Sequence, residues 1–313
     1  MHMATPSGGP AAAVHYPLSR QIAALLIAAR PAQWVKNLVL PLPFLFGGAL
    51  GQPRGWWLAA SGVAVLCAIS SGVYLVNDVM DRDRDRAHPV KRHRPLATGE
   101  LRVATALSAA LPLLALGLGT AFQLSAPFGR WCAIYAALML AYSVGLKQIP
   151  FLEALIVAAG LPLRALAGAA LADLTASTFL MLCAYLLALF LVVGKRQWEL
   201  QNAGGGAASS EHRAVLASYR TEALDFLFVV IALATVAAYA AYTVVPATLR
   251  MHGGRSLAPT VPFVVLGVAR YVRLVYRRGG GGNPTRALLI DDPWILLIVV
   301  GWVATAGWLI YGR

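Results

Sequence analysis

Residues 57–86 read WLAASGVAVLCAISSGVYLVNDVMDRDRDR, and the change of character inside this stretch decides the fold class. From Trp57 to Val76 there is no charge, over a length sufficient to cross a bilayer core as a helix of roughly 20 residues. Asn77 and Asp78 then open a segment in which nearly every residue is ionised. Eight further apolar runs lie near 34–51, 103–123, 131–147, 150–171, 177–195, 223–247, 258–276 and 293–311. The first and fourth are short. Pro41, Pro43, Pro112 and Pro162 fall inside these runs, where neighbouring membrane helices can satisfy the freed carbonyls.

The composition agrees. Of 313 residues 59% are hydrophobic and 12% charged, with a mean hydropathy of +0.67. Soluble domains carry about 25% charged residues. The expected fold is therefore all-α, a polytopic membrane bundle of about nine transmembrane helices. Residues 21–313 form one catalytic domain, and 1–20 form a disordered tail. Within that tail Met1-His2-Met3 reads as a cloning remnant, and no signal peptide is expected. Cys67, Cys132 and Cys183 each lie in an apolar run without metal-ligand spacing and read as reduced packing residues.

The distribution of Lys and Arg tests the threading. With the N-terminus inside and all nine runs crossing, 20 of the 26 fall on the inner face and five on the outer, leaving Arg164 within a span. Such a bias is the positive-inside pattern of a membrane protein. The formal charge of +13 then reports orientation and an anionic substrate, with no nucleic-acid partner.

At the end of the second run Asp78, Asp81 and Asp85 stand at i, i+3 and i+7, one face of a continuous helix. Asp83 points away and reads as a solvated partner of Arg82 and Arg84. Clustered carboxylates repel unless a cation joins them, and oxygen ligands of this kind suit Mg²⁺ together with substrate phosphates. Asn77 stands beside them. Lys91 and Arg94 follow at once, the natural counterparts of a polyanion. His88 and His93 read as solvated loop residues.

Other charges border apolar runs on the same face: Gln33, Lys36 and Asn37 at the first, Tyr142 and Lys147 at the fourth, and Lys195, Arg196 and Glu199 at the sixth. Glu153 and Arg164 lie in the fifth, eleven residues apart and so about 16 Å along one helix face. A polar cavity shared by these groups is the economical expectation. Trp34, Trp56, Trp57, Trp294, Trp302 and Trp308 read as interfacial anchors. The glycine runs at 204–206 and 279–282 lack the lysine of a phosphate-binding loop.

Asn77-Asp78-x-x-Asp81-x-x-x-Asp85 at the end of the second of nine spans resembles the UbiA superfamily of intramembrane prenyltransferases. Its decaprenyl-phosphate phosphoribosyltransferase branch is similar at Arg30-Pro31-x-Gln33-Trp34-x-Lys36-Asn37, Tyr74-Leu75-Val76-Asn77-Asp78 and Lys91-Arg92-x-Arg94-Pro95-Leu96-Ala97. Leu163-Arg164-Ala165-x-Ala167-Gly168, Gly194-Lys195-Arg196-x-x-Glu199-Leu200 and Tyr276-Arg277-x-Gly279 match it too. Aromatic prenyltransferases of the superfamily carry a second acidic motif where this chain has Lys195-Arg196-x-x-Glu199.

The resemblance implies a Mg²⁺-dependent transfer of 5-phosphoribose from phosphoribosyl diphosphate to polyprenyl phosphate. It would supply a lipid-linked pentose, a D-arabinose precursor, for cell-envelope glycans. Asp78, Asp81 and Asp85 would hold the metal, supported by Asn77. Lys36, Lys91, Arg94, Lys195 and Arg196 would bind phosphates, with Gln33, Asn37, Tyr142, Lys147, Arg164 and Glu199 around the substrate. The implied location is the bacterial inner membrane with the site facing the cytoplasm. Homo-oligomerisation stays open, as do two other functions, aromatic prenyl transfer and lipid or solute transport.

Overall fold

The computed structural model describes residues 16–88, 90–149, 151–202, 221–251, 254–277 and 292–312. The tail through residue 15, the glycine runs at 204–206 and 279–282, and Arg213, Arg220, Arg278 and Arg286 lie outside them.

The described chain is helical, with no strand among its residues. It opens with α1 (Leu18–Ala28), followed by a 3-10 helix (Pro31–Val39) and the short α2 (Pro41–Phe46). Next come α3 (Pro53–Met80), α4 (Arg82–Ala87) and α5 (Pro95–Thr98). The bundle continues through α6 (Val103–Leu124), α7 (Ala126–Val144), α8 (Leu152–Leu171) and α9 (Thr178–Asn202). It ends with α10 (Thr221–Val244), α11 (Pro246–Met251), α12 (Val261–Tyr276) and α13 (Pro293–Tyr311). Among the described residues seven helices are long and apolar enough to cross a membrane, and the protein is an integral membrane protein.

Two of the nine expected runs take other forms. The first is not one helix: Pro31, Pro41 and Pro43 remove backbone donors, and the chain divides into a 3-10 turn and a six-residue helix. The fourth begins earlier, at Ala126, because Pro127 suits the first turn of a helix even though Arg130 follows in the same helix. α1 is an element the hydropathy runs do not reveal. Its eleven residues are too few to span, yet Leu18, Ile22 and Leu26 form an exposed apolar stripe while Gln21, Ala24 and Ala28 are buried. That is the pattern of a helix lying at the membrane interface.

The long helices pack in chain order, α3 on α6 and α7, α7 on α8, α8 on α9, α9 on α10, and α12 on α13. α13 returns to α2, where the Tyr311 hydroxyl donates to the carbonyls of Phe44 (3.2 Å) and Leu45 (3.0 Å), and this closes the ring. Leu40, Phe44, Leu66, Ile69, Phe128 and Tyr135 pack as one core between α2, α3, α7 and α8. Gly168 permits this approach, since a Cβ there would fall on the Leu40 carbonyl. A second core of Phe190, Phe228, Tyr271 and Val275 joins α9, α10 and α12, with the Phe190 and Phe228 rings stacked at 5.1 Å. α13 keeps Trp294, Leu297, Val300 and Trp308 exposed, as a lipid-facing helix should.

Candidate active site at the charged end of the bundle

Helix alternation brings the ends of α3, α7 and α9 and the starts of α6 and α8 to one end of the bundle. α3 stops at Met80 and α4 begins at Arg82, so the aspartates sit on two helices joined at Asp81, where one continuous helix was expected. Two of the three nonetheless share one partner. Arg94 Nη1 donates to Asp85 Oδ2 (2.7 Å) and Asp78 Oδ1 (3.2 Å), bridging the two carboxylates. Arg30, held in the left-handed region at φ 55°, also pairs with Asp78, and its guanidinium lies 4.9 Å from the Tyr74 ring centre. Lys147 Nζ donates to Asp81 (2.5 Å), and Asn77 Nδ2 donates to the same carboxylate (3.2 Å). Asp78 and Asp85 are buried, while Asp83 is 87% exposed and pairs with Arg86.

The opposite wall is built by α8 and α9. Arg196 meets both Glu153 oxygens at 2.6 Å and also pairs with Glu199, while Lys195 stands 3.6 Å from Glu199. Tyr142 is half-buried within electrostatic reach of Glu153 and Arg196. Among the described residues the ammonium groups of Lys36 and Lys91 have neither a carboxylate nor a hydrogen-bond partner. Burial, and then Arg94 nearby, holds the Lys91 ammonium below the usual lysine range. Burial raises the Asp85 carboxyl, with Arg94 opposing the shift. His88 is lowered by burial and by Lys91, and its Nδ1 accepts from the backbone N–H groups of Val90 (3.1 Å) and Lys91 (3.3 Å).

Seven cations (Arg30, Lys36, Lys91, Arg94, Lys147, Lys195, Arg196) thus face five acids (Asp78, Asp81, Asp85, Glu153, Glu199). Such an end retains positive charge after its internal pairs form. Among the described residues no three Asp, Glu, His or Cys side chains stand as a ready-made metal cage. The fit of a divalent cation therefore rests on the donor set. Arg94 spans the carboxylates of Asp78 and Asp85, while Asp81 is held by Lys147 and Asn77, so the donors on offer are carboxylate oxygens of the kind a hard cation takes.

Two expected contact residues are used inside the bundle. Arg164 donates from Nε to Asn37 Oδ1 (2.8 Å), from Nη1 to the Gly160 carbonyl (2.6 Å) and from Nη2 to Tyr135 (2.7 Å). Asn37 is fully buried and donates to Cys67 Sγ (3.2 Å) and Ser70 Oγ (3.3 Å). This network seats the 3-10 helix that carries Lys36. Glu153 does not share a partner with Arg164 and belongs to Arg196. Gln33 is half-buried, its N–H closing a turn on the Arg30 carbonyl (2.9 Å). Arg30 is the residue that chemical inspection of the sequence misses: it precedes a proline before the first run, and only its left-handed backbone turns it onto Asp78.

An intramembrane helical ring with an aspartate-lined polar end defines the class, and comparison with known proteins identifies it. The chain matches the UbiA prenyltransferase family over residues 39–290 and belongs to that family. Decaprenyl-phosphate phosphoribosyltransferase of Corynebacterium glutamicum is 35% identical, across 89% of this chain and 84% of the relative. The protein of the same name from Mycolicibacterium smegmatis is 33% identical, across 94% and 95%. A UbiA homologue from Archaeoglobus fulgidus, solved bound to GPP and Mg²⁺, superposes with a TM-score of 0.68 at 19% identity, across 92% of this chain and 99% of that one.

Proposed function

We propose that the protein transfers 5-phosphoribose from phosphoribosyl diphosphate to the phosphate of a polyprenyl lipid, decaprenyl phosphate in the relatives' case, and releases diphosphate. The observation that carries this is the pairing of an acidic wall on α3 and α4 with a basic remainder at Lys36, Lys91 and Lys195. A donor with a diphosphate at one end and a phosphate monoester at the other needs both. The near full-length similarity to two proteins named for this reaction supports the same assignment.

Asp78, Asp81 and Asp85, with Asn77, would hold Mg²⁺, whose charge would screen the departing diphosphate. Arg94 and Arg30 hold Asp78 and Asp85 in register and offer further N–H groups to phosphate oxygens. Lys147 and Asn77 orient Asp81. Lys36 and Lys91 supply unengaged point charges for the phosphate groups, and Lys195, paired loosely with Glu199, adds a further cation. A phosphate monoester is largely ionised near neutral pH, so the acceptor needs no general base. Its oxygen forms the new bond to the anomeric carbon as the bond to diphosphate breaks on the opposite face, inverting that centre. The residues' work is to hold two mutually repelling anions in line and to offset their charge.

The charge bias of the loops supports a cytoplasmic site in the bacterial inner membrane. The product would be a lipid-linked pentose, a D-arabinose precursor for envelope glycans. The test incubates purified protein in detergent with Mg²⁺, decaprenyl phosphate and labelled phosphoribosyl diphosphate. Label moving to the lipid phase and lost with EDTA is expected. No lipid label, with prenylation of an aromatic acid when prenyl diphosphate is given, would overturn the assignment in favour of aromatic transfer.

A further inference from the structure

Between Asp85 and Lys91 the chain leaves the acidic helix α4 and arrives, six residues on, at an ammonium with no partner among the described residues. His88 holds this passage. Expected as a solvated loop residue, it is half-buried. Its N–H closes the end of α4 on the Asp85 carbonyl (3.1 Å), and its own carbonyl accepts from the Arg92 N–H (3.1 Å). The ring adds a third tie, since Nδ1 accepts from the N–H groups of Val90 (3.1 Å) and Lys91 (3.3 Å). Three successive amides, 90 to 92, thus end on one residue. A ring nitrogen that accepts twice carries no proton, so the neutral imidazole keeps its proton on Nε2. The charged neighbours of the ring are Lys91, Arg94 and Glu199, which belong to both walls of the site.

We infer that His88 is a positioning residue for donor binding, whose Nδ1 fixes the backbone at Lys91 and so aims the unpaired ammonium at the phosphate groups of phosphoribosyl diphosphate. The inference rests on the reaction proposed above. A lysine is a point charge on a flexible four-carbon stem, and it serves a defined phosphate only where its backbone is held. Ordering that backbone before the donor arrives removes part of the entropy cost of binding. The same turn continues to the Arg94 N–H, which donates to the Lys91 carbonyl (2.9 Å), while the Arg94 guanidinium spans Asp78 and Asp85. His88 therefore sets the basic segment against the acidic one without itself contacting a phosphate.

The test changes position 88 in the full-length protein and measures transfer from phosphoribosyl diphosphate to decaprenyl phosphate with Mg²⁺. Asn puts its amide oxygen near the place of Nδ1 and can accept from N–H groups two and three residues on, whereas the longer Gln amide reaches the place of Nε2. His88→Ala and His88→Gln should raise KM for phosphoribosyl diphosphate about tenfold, with kcat within about threefold of wild type. His88→Asn should keep both constants within about threefold. In a Lys91→Ala background, His88→Ala should add less than about twofold, because the residue it acts through is gone. Full additivity in that background, or a loss that Asn fails to repair, would overturn the inference. Amide hydrogen exchange across residues 90–92 needs no turnover. It should quicken in His88→Ala and match wild type in His88→Asn, and equal rates in all three proteins would also overturn the inference. The expected exchange pattern in a wild-type protein that transfers no phosphoribose would sink the reaction and leave the role of His88 in the turn standing.

Discussion

Arg164 and Lys36 sit on either side of Asn37, and the two cations are used in opposite ways. Arg164 spends its N–H groups on Asn37, the Gly160 carbonyl and Tyr135, with its guanidinium 4.5 Å from the Tyr135 ring centre. Lys36 has no hydrogen-bond partner among the described residues. One is satisfied and holds helices together, since an unpaired charge within a membrane is costly. The other has no such partner, and the charges nearest to it are the cations Arg164, Lys195 and Arg30. The difference separates these two cations: Arg164 is held by three neutral partners between helices, while Lys36 keeps its hydrogen-bonding capacity unused.

The sharpest way to break this contrast is to remove an acid from the cluster. Asp78→Asn should lower turnover per folded molecule by on the order of 10³-fold, and the thermal midpoint in detergent should fall as well, because Arg30 and Arg94 lose a charged partner. A variant that kept both turnover and its Mg²⁺ dependence would remove Asp78 from the metal site.

Arg164→Met should act through stability instead. It strands the Asn37 amide oxygen, the Gly160 carbonyl and the Tyr135 hydroxyl, at about 1–3 kcal/mol for each group left unsatisfied. Unfolding in detergent should come at a clearly lower temperature, and turnover per folded molecule should change by only a few fold. Lost activity at unchanged stability would instead place Arg164 against the substrate.

Lys36→Ala should give the mirror image. Affinity for the phosphorylated substrates should weaken by roughly 10-fold to 100-fold, the effect of one charged hydrogen bond of about 1.5–3 kcal/mol. Its thermal midpoint should match the wild type, because no partner is stranded.

The smallest effect concerns pH. Lys91 loses its proton below the usual lysine range, so its charge is present at low pH and lost as pH rises through the lowered value. KM for phosphoribosyl diphosphate should therefore rise on the alkaline side, and Lys91→Arg should push that rise to higher pH. Identical profiles for the two proteins would take Lys91 out of donor binding.

Much of this site was legible along the chain because its constraints are local. Asp78, Asp81 and Asp85 follow an uncharged run directly, and Lys195, Arg196 and Glu199 close another. Insertion cost makes charges at such borders conspicuous. The scaffold role of Arg164 was not legible, because Asn37 is 127 residues away and Tyr135 lies on a different helix. Nor was Arg30, whose approach to Asp78 depends on one left-handed residue between two helical segments. The break between α3 and α4 also escaped the i, i+3, i+7 pattern, and Arg94 bridges only two of its three carboxylates, Asp78 and Asp85.

Sequence alone determined the membrane bundle and the end at which chemistry gathers, because hydrophobic run length and charge placement are set by transfer energies that act residue by residue. Only the tertiary structure decided which charges are paired within the bundle and which are left without a partner among the described residues. Pairing depends on distances between side chains far apart in the chain, and a single φ angle at Arg30 or the missing Cβ at Gly168 changes those distances by more than a hydrogen bond can tolerate.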